Sequence, residues 1–212
     1  MGPHRVASLL AAGLMLAIVS VPVAAHAAGG STSFTTTAGT GLTVTGAAPG
    51  TLSAVTLNGQ VQTQYTALGS YTSVDSTGTG SGWNITFQAT QFKCTYSGNA
   101  GDKCPTAAQG GNSLPVGSLT MAPPTVACDA ASSCGGQAAT PAVSISANTG
   151  VDEASAVKVA SAPANTGMGT YDFTTGTVDG TGGHNLKLVV PSWVYAGATY
   201  NSTLTVSIGT GP

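Results

Sequence analysis

The sequence predicts an all-β protein, an antiparallel β-sandwich or barrel-like domain with immunoglobulin-like character. Short runs alternate apolar and polar residues, which is the period of half-buried strands. Glycine, proline and asparagine separate these runs, and glycine alone occurs 30 times. The one segment that fits a helix, residues 151–160, fits a strand or a turn equally well. Strands at this spacing without intervening helices favour a sandwich or a barrel.

The N-terminus has the pattern of an export signal. His4 and Arg5 precede an apolar run over residues 6–23, and Ala25-His26-Ala27 offers a small-x-small cleavage site. No charged stop-transfer segment follows the apolar run. We therefore expect a signal peptide over residues 1–27 and no membrane span after its cleavage, and the alternative is an uncleaved N-terminal anchor. The mature domain is then 28–212.

The charge balance excludes two classes of partner. The chain has five Lys and Arg residues and seven Asp and Glu residues. A nucleic-acid-binding protein needs clustered cations to displace counterions from the phosphate backbone, and this chain offers no such cluster. A polybasic contact with a membrane surface is excluded for the same reason.

The clearest strand begins at Trp83. Trp83, Ile85 and Phe87 share one face, and the residues between them are polar. The glycines at 78, 80 and 82 precede this strand. A phosphate-binding loop would need a helix there to aim backbone N–H groups at the phosphate, so a nucleotide site is not predicted.

Strands are expected in order along the rest of the chain. Asn58-Gly59 is the strongest hairpin signal, and it predicts that residues 51–57 pair with residues 61–67. Further strands are expected at residues 71–74, 83–88, 142–147, 186–190 and 204–208. Residues 98–141 contain several prolines, so we expect a loop-rich insertion with one short strand near Leu119.

The four cysteines predict disulfides, because an even number in an exported chain is typical of them. We expect local pairing, Cys94 with Cys104 and Cys128 with Cys134, since each pair brackets a turn-rich loop. Three pairings are possible for four cysteines. A zinc site is disfavoured by the absence of a Cys-x-x-Cys pair.

Signals for catalysis and metal binding are weak. His184 is the one histidine of the mature chain, and no Gly-x-Ser-x-Gly elbow is present. Most carboxylates lie beside Gly, Ser or Thr, where they commonly form turns. No enzymatic activity, cofactor or metal is therefore predicted. Three alternatives stay open: a hydrolase using Asp172 or Asp179, a surface calcium, and an isopeptide bond from Lys158 or Lys187.

Two segments resemble the WxL-domain surface proteins of Gram-positive bacteria. Residues 74–87, followed by Gln91-Phe92, resemble the first motif of that family. Residues 186–191 and 195–208 resemble its closing block, a proline-ended strand, a glycine turn and a Thr-rich last strand. The first motif reads Trp83-Asn84-Ile85 instead of Trp-x-Leu, and the second falls on Val206-Ser207-Ile208.

The resemblance implies a secreted, non-catalytic protein that binds cell-wall peptidoglycan or a partner surface protein non-covalently. It also marks Trp83, Ile85, Val206 and Ile208 as motif residues that could contribute to binding. Trp83 would either lie in the core or stack on a glycan, and the strict alternation favours the core. A fibre-like surface subunit that pairs through an edge strand is the alternative function.

Overall fold

A computed structural model describes residues 41–94, 104, 112–130, 134 and 140–212. The expected signal peptide, residues 1–27, lies outside the described residues, as does about half of the expected insertion over residues 98–141. No described segment is a helix that is long and apolar enough to cross a membrane.

The described residues form only strands and irregular segments. The fourteen strands are β1 (Leu42–Gly46), β2 (Gln62–Thr66), β3 (Tyr71–Asp75), β4 (Trp83–Ala89), β5 (Lys93–Cys94), β6 (Leu119–Met121), β7 (Pro124–Cys128), β8 (Ala142–Val143), β9 (Thr149–Gly150), β10 (Val157–Ala162), β11 (Gly169–Thr175), β12 (Leu186–Val190), β13 (Tyr200–Asn201) and β14 (Leu204–Thr210).

These strands form three four-stranded sheets and one two-stranded ribbon, and every pairing is antiparallel. The first sheet has the order β1-β3-β11-β7, the second β14-β4-β10-β8 and the third β2-β12-β6-β9. Strands β13 and β5 form the ribbon. The prediction of an all-β antiparallel fold is confirmed.

Aromatic side chains join the first and second sheets. Tyr71 of β3 stacks on Phe173 of β11 with ring centroids 4.8 Å apart, and it meets Phe87 of β4 edge-on at 5.2 Å. Trp83 of β4 lies 6.3 Å from both Phe173 and Tyr171. Rings at these separations and angles are in favourable contact, so this cluster is the core between the two sheets.

Strand β4 has the alternation that its sequence predicts. Trp83, Ile85 and Phe87 are fully buried, and the intervening polar residues are partly exposed. The strand is central in the second sheet, because it pairs with β14 on one edge and with β10 on the other. In the β14 register, Ile85 lies opposite Ile208 and Phe87 opposite Val206.

The predicted hairpin around Asn58-Gly59 is wrong. The backbone N–H of Gly50 donates to the carbonyl oxygen of Ala67 at 2.8 Å, but residues 51–57 then leave the sheet and form no strand. Strand β2 pairs with β12 instead. The turn itself forms locally, with Gly59 at a φ of 77°. The long-range partner β12 and the burial of apolar side chains from residues 51–57 outweigh the local hairpin signal.

Three further elements differ from the expectation. The described part of the region 98–141 contributes two strands, β6 and β7, where one was expected near Leu119. Strand β7 is an edge strand that begins at Pro124, a position where a missing N–H is tolerated. The strand expected over residues 142–147 is limited to β8, and the segment 151–160 leads into β10 without a helix.

Both predicted disulfides are confirmed. Cys94 is bonded to Cys104 and Cys128 to Cys134, with Cα–Cα distances of 5.5 and 6.1 Å. Each bridge closes a short loop, and in the chain-entropy account such loops stabilise the fold by roughly 2–3 kcal/mol.

A buried tryptophan motif and a candidate ligand-binding cleft

The four motif residues lie in the protein core. The exposed fraction is 0% for Trp83, Ile85 and Val206, and 2% for Ile208. The two motif copies lie on the neighbouring strands β4 and β14 and face the same interior. Without a conformational change, none of the four side chains offers a surface on which a glycan or a partner could bind.

Trp83 is held by polar and steric contacts as well as by packing. Its indole N–H donates to the carbonyl oxygen of Gly167 at 2.8 Å. A Cβ atom at Gly167 would lie 2.8 Å from the indole nitrogen and 2.2 Å from the Ala162 Cβ, so only glycine fits beside the ring. The tryptophan and this glycine are therefore complementary parts of one packing arrangement.

A cleft of about 860 Å³ opens on a different part of the molecule, and we call it the apolar cleft. Its floor is the inward face of the third sheet, to which β12 contributes Leu186, Leu188 and Val190. Phe92, Leu114, Leu119 and Leu204 extend the floor. The segments 49–57 and 194–200 line its other sides.

Residues 51–57, which we call the strap, line one side of this cleft. Leu52, Val55 and Leu57 are half-buried and pack against the core. Residues 52–57 form no backbone–backbone hydrogen bond with any described residue. Side chains hold the far end of the strap, where the Gln62 amide donates to the carbonyl oxygen of Thr56 at 2.6 Å. Hydrogen bonds thus hold the strap at its two ends, and between the ends it is held by side-chain packing.

Tyr200 is a notable polar group of the apolar cleft. It lies opposite Cys94 in the two-stranded ribbon, and it lines the cleft. Its hydroxyl is buried and has no hydrogen-bond partner among the described residues. Burial raises the pKa of the Tyr200 hydroxyl above its ordinary value. The sequence pattern included Tyr200 in the closing block but did not single it out.

Charge is absent from the cleft. No described residue that lines it is an Asp, Glu, Lys, Arg or His. The cleft therefore offers no ion pair to a charged ligand, and its walls favour apolar groups.

The glycine-rich turn before β4 has its hydroxyl groups bonded to one another. The Thr77 hydroxyl lies 2.7 Å from an Asp75 carboxylate oxygen and 3.0 Å from the Thr79 hydroxyl, which in turn accepts from Ser81 at 3.0 Å. The turn leads directly into strand β4, which begins at Trp83.

His184 belongs to a small surface cluster. Its Nδ1 atom lies 2.9 Å from an Asp179 carboxylate oxygen, and its ring stacks on Tyr65 with centroids 4.4 Å apart. The hydrogen bond from His184 lowers the pKa of the Asp179 carboxyl. Within the described residues, no serine or threonine hydroxyl bonds to this ring. Asp172 has a separate partner, the Thr72 hydroxyl at 2.8 Å.

The isopeptide and metal alternatives gain no support from side-chain positions. Lys158 is exposed on β10, and Lys187 is partly exposed on β12. No group of three or more His, Cys, Asp or Glu side chains in the described ranges is arranged to hold a metal ion.

Asp152 is a buried carboxylate with an expected pH dependence. It is 1% exposed, and neither of its oxygens has a hydrogen-bond partner among the described residues. Burial raises the pKa of the Asp152 carboxyl, and the backbone N–H groups of Leu119, Asp152 and Gly117 oppose this rise from positions that do not meet hydrogen-bond geometry. The folded state therefore favours the protonated form more than the unfolded chain does.

We predict that Asp152→Asn stabilises the protein at pH 7, because the neutral amide does not carry the desolvation cost of a buried carboxylate. Below about pH 3.9, the pKa of an Asp carboxyl in the unfolded chain, Asp152 is protonated in both the folded and the unfolded state, so the folded state does not bury a charge there. The fold loses this stability as the pH rises through the higher pKa that Asp152 has in the folded state. Urea unfolding at pH 4 and pH 7 should show a larger difference between variant and wild type at pH 7. Glu153→Gln, at the exposed neighbour, is the control: it removes only the smallest of the contributions that raise the pKa of Asp152, so it should change the stability less than Asp152→Asn does. A variant that is less stable than wild type at pH 7 would contradict this assignment.

Comparison with known proteins gives one match. A family model described as "WxL domain surface cell wall-binding" matches residues 31–212, most of the chain. No curated protein and no solved structure matches the chain.

Proposed function

Because the chain belongs to the WxL-domain family of cell-wall-binding surface proteins, we propose that it is exported and held at the wall of a Gram-positive bacterium without a covalent bond. In this proposal it is a non-catalytic protein whose ligand is peptidoglycan. The family match over residues 31–212 is the observation that carries the proposal. The expected signal peptide supports export, and the mature domain would be residues 28–212.

Burial of the motif determines where binding would occur. Trp83, Ile85, Val206 and Ile208 have almost no exposed surface, so their role in this proposal is to build the domain. Contacts with the wall then come from exposed residues. With five basic and seven acidic residues in the whole chain, these contacts are mainly uncharged hydrogen bonds and apolar packing.

We predict that the purified mature protein pellets with peptidoglycan sacculi at low and high salt alike. Salt weakens binding that depends on exposed ion pairs, and this surface offers few of them. Denaturant should release the protein, because unfolding removes the binding surface and no covalent bond retains the chain. The measurement is co-sedimentation with sacculi cleaned in hot detergent, with an insoluble polysaccharide such as cellulose as the control.

The outcome also separates the alternatives. Retention by native walls but not by cleaned sacculi would point to a partner surface protein and contradict peptidoglycan as the ligand. A concentration-dependent ladder in size-exclusion chromatography would favour the fibre-like subunit. Release of soluble fragments from sacculi, lost on mutating Asp172 or Asp179, would favour a hydrolase. Failure to pellet with any wall preparation would overturn the proposal.

A further inference from the structure

We propose that Asn58 is a site of spontaneous deamidation, at which loss of ammonia through a cyclic imide yields aspartate and isoaspartate, and that the isoaspartate form loosens one end of the strap. This modification goes beyond wall binding and does not depend on it.

The turn at Asn58 leaves the attacking atom open. Asn58-Gly59 is the one Asn-Gly dipeptide in the sequence, and both residues are exposed. A Cβ atom at Gly59 would meet nothing within 4 Å, and the Gly59 N–H donates to no described residue. Glycine has no side chain to hinder its own nitrogen. The nitrogen that forms the imide is therefore accessible and has no hydrogen bond to lose.

Two donors polarise the Asn58 side-chain carbonyl. The backbone N–H of Gln60 donates to Asn58 Oδ1 at 3.0 Å, and Gln62 Nε2 donates to the same oxygen at 3.2 Å. Negative charge develops on this oxygen when a nucleophile adds to Cγ, and N–H donors aimed at it stabilise that charge, as in an oxyanion hole. No described residue accepts a hydrogen bond from the Asn58 amide nitrogen, which is the leaving group. The turn thus activates the carbonyl and leaves the departing nitrogen unbonded.

The reaction needs only water. The Gly59 nitrogen loses its proton to solvent and bonds to Asn58 Cγ, while the bond from Cγ to the side-chain nitrogen breaks and that nitrogen takes a proton and leaves as ammonia. Water then opens the imide ring. Cleavage between the Gly59 nitrogen and Cγ gives aspartate, and cleavage between this nitrogen and the main-chain carbonyl carbon of residue 58 gives isoaspartate. Either product carries one more negative charge, and no atom changes its oxidation state.

The same turn holds one end of the strap. Gln62 Nε2 donates to the Thr56 carbonyl oxygen as well as to Asn58 Oδ1. Residues 52–57 form no backbone–backbone hydrogen bond with any described residue, so this attachment has no backup from a sheet. Isoaspartate takes the Cβ and Cγ atoms of residue 58 into the main chain and lengthens the turn. Aspartate keeps the original chain and a turn-forming oxygen, so isoaspartate alone weakens the attachment.

A second turn of the same pattern provides an internal comparison. Asp179 Oδ1 accepts from the backbone N–H of Thr181 at 2.9 Å, and a Cβ atom at Gly180 would also meet nothing within 4 Å. The difference lies in the carbonyl under attack. The hydrogen bond from His184 lowers the pKa of the Asp179 carboxyl, so this group is a carboxylate at neutral pH and a poor target for a nucleophile. We therefore expect Asn58 to convert much faster than Asp179.

The test is storage of the purified mature protein at pH 8, followed by peptide mapping with mass spectrometry. The peptide that contains Asn58 should gain the mass of the amide-to-acid change, and an isoaspartate methyltransferase should label part of it. The folded protein should convert within about tenfold of the rate of the chain unfolded in guanidinium chloride, because only the local turn has to rearrange. Isomerisation at Asp179, read with the same methyltransferase, should be at least about tenfold slower than conversion of Asn58.

Three variants test the chemistry. Asn58→Ser keeps a turn-forming oxygen but has no amide to lose, so the acid gain should disappear from this peptide. Gly59→Ala places a methyl group beside the attacking nitrogen and should slow the conversion at least about tenfold. Gly180→Ala makes the same change in the other turn, also at a positive φ, and should leave the rate at Asn58 unchanged. Circular dichroism checks that each variant is folded.

Limited proteolysis with elastase tests the strap, which offers Ala54 and Val55 as cleavage sites. Anion exchange separates the converted protein by its added charge, and the methyltransferase identifies the isoaspartate fraction. This fraction should be cut in the strap about two- to tenfold faster than the unconverted protein, the range of one lost hydrogen bond. Asn58→Asp, which has the charge but not the longer main chain, should be cut at the unconverted rate.

Several results would overturn the proposal. These are conversion in the folded protein more than about tenfold slower than in the unfolded chain, equal rates at Asn58 and Asp179, or an unchanged rate in Gly59→Ala. Equal cutting of the isoaspartate form and of Asn58→Asp would overturn the link to the strap. Mass and proteolysis are measured without cell walls, so failure of this proposal and failure of wall binding are separate outcomes.

Discussion

Trp83→Ala is expected to lower the free energy of unfolding by about 3–5 kcal/mol. The side chain is fully buried between the first and second sheets, and its removal leaves a cavity beside Tyr171 and Phe173. It also leaves the Gly167 carbonyl oxygen without the indole donor. Both losses act on the core between the first and second sheets, where the surrounding strands cannot easily collapse.

Urea unfolding followed by circular dichroism measures this effect. Trp193→Ala is the matched control, because Trp193 is partly buried and lies outside the aromatic cluster of the sandwich. We expect the control to lose distinctly less stability than Trp83→Ala. A loss below about 1 kcal/mol at Trp83, the typical effect of an arbitrary substitution, would contradict a core role.

Gly82→Ala is expected to cost roughly 3–4 kcal/mol. Gly82 has a φ of 72°, a conformation that L residues with a side chain adopt at a cost. An added Cβ atom would also lie 2.4 Å from the carbonyl oxygen of Ala162 and 2.8 Å from the carbonyl carbon of Pro163. Those atoms belong to the backbone, so relief requires movement of the chain after β10.

Gly78→Ala separates the two causes of this loss. Gly78 lies in the same turn with a φ of 65°, and a Cβ atom there would meet nothing within 4 Å. The control should therefore show only the backbone strain, about 1 kcal/mol. The difference between the two variants in urea unfolding reports the close approach at Gly82. Equal losses would mean that the contact with Ala162 does not limit the fold.

The sequence predicted the strands that alternate strictly. In β4, β12 and β14 the period of two appears in consecutive residues, and burial follows it in each strand. The local disulfides were also predictable, since each joins cysteines at most ten residues apart. These features depend on neighbours in the chain, which the sequence displays directly.

Long-range partners were not predictable in the same way. Asn58-Gly59 gives a strong local hairpin signal, but β2 pairs with β12, more than a hundred residues away. Strand β7 lies in a proline-rich region, and β11 supplies the edge that it pairs with. The cleft was not predictable for the same reason. Because β2 pairs with β12, residues 51–57 do not pair with β2 and instead lie along the cleft. The sequence does not mark Tyr200 as unusual, because the lack of a hydrogen-bond partner for its buried hydroxyl depends on the tertiary structure.

Co-sedimentation with cleaned peptidoglycan sacculi, comparing wild type with Trp83→Phe, tests most directly whether the protein binds the wall through its exposed surface and not through the buried motif. Phenylalanine keeps an aromatic ring in the core, so the variant should fold with reduced stability, and circular dichroism at the assay temperature checks this. Both proteins are expected to pellet with the same dissociation constant, because Trp83 builds the fold and does not contact the wall. A folded Trp83→Phe protein that stays in the supernatant while the wild type pellets would contradict it, as would a wild type that does not pellet.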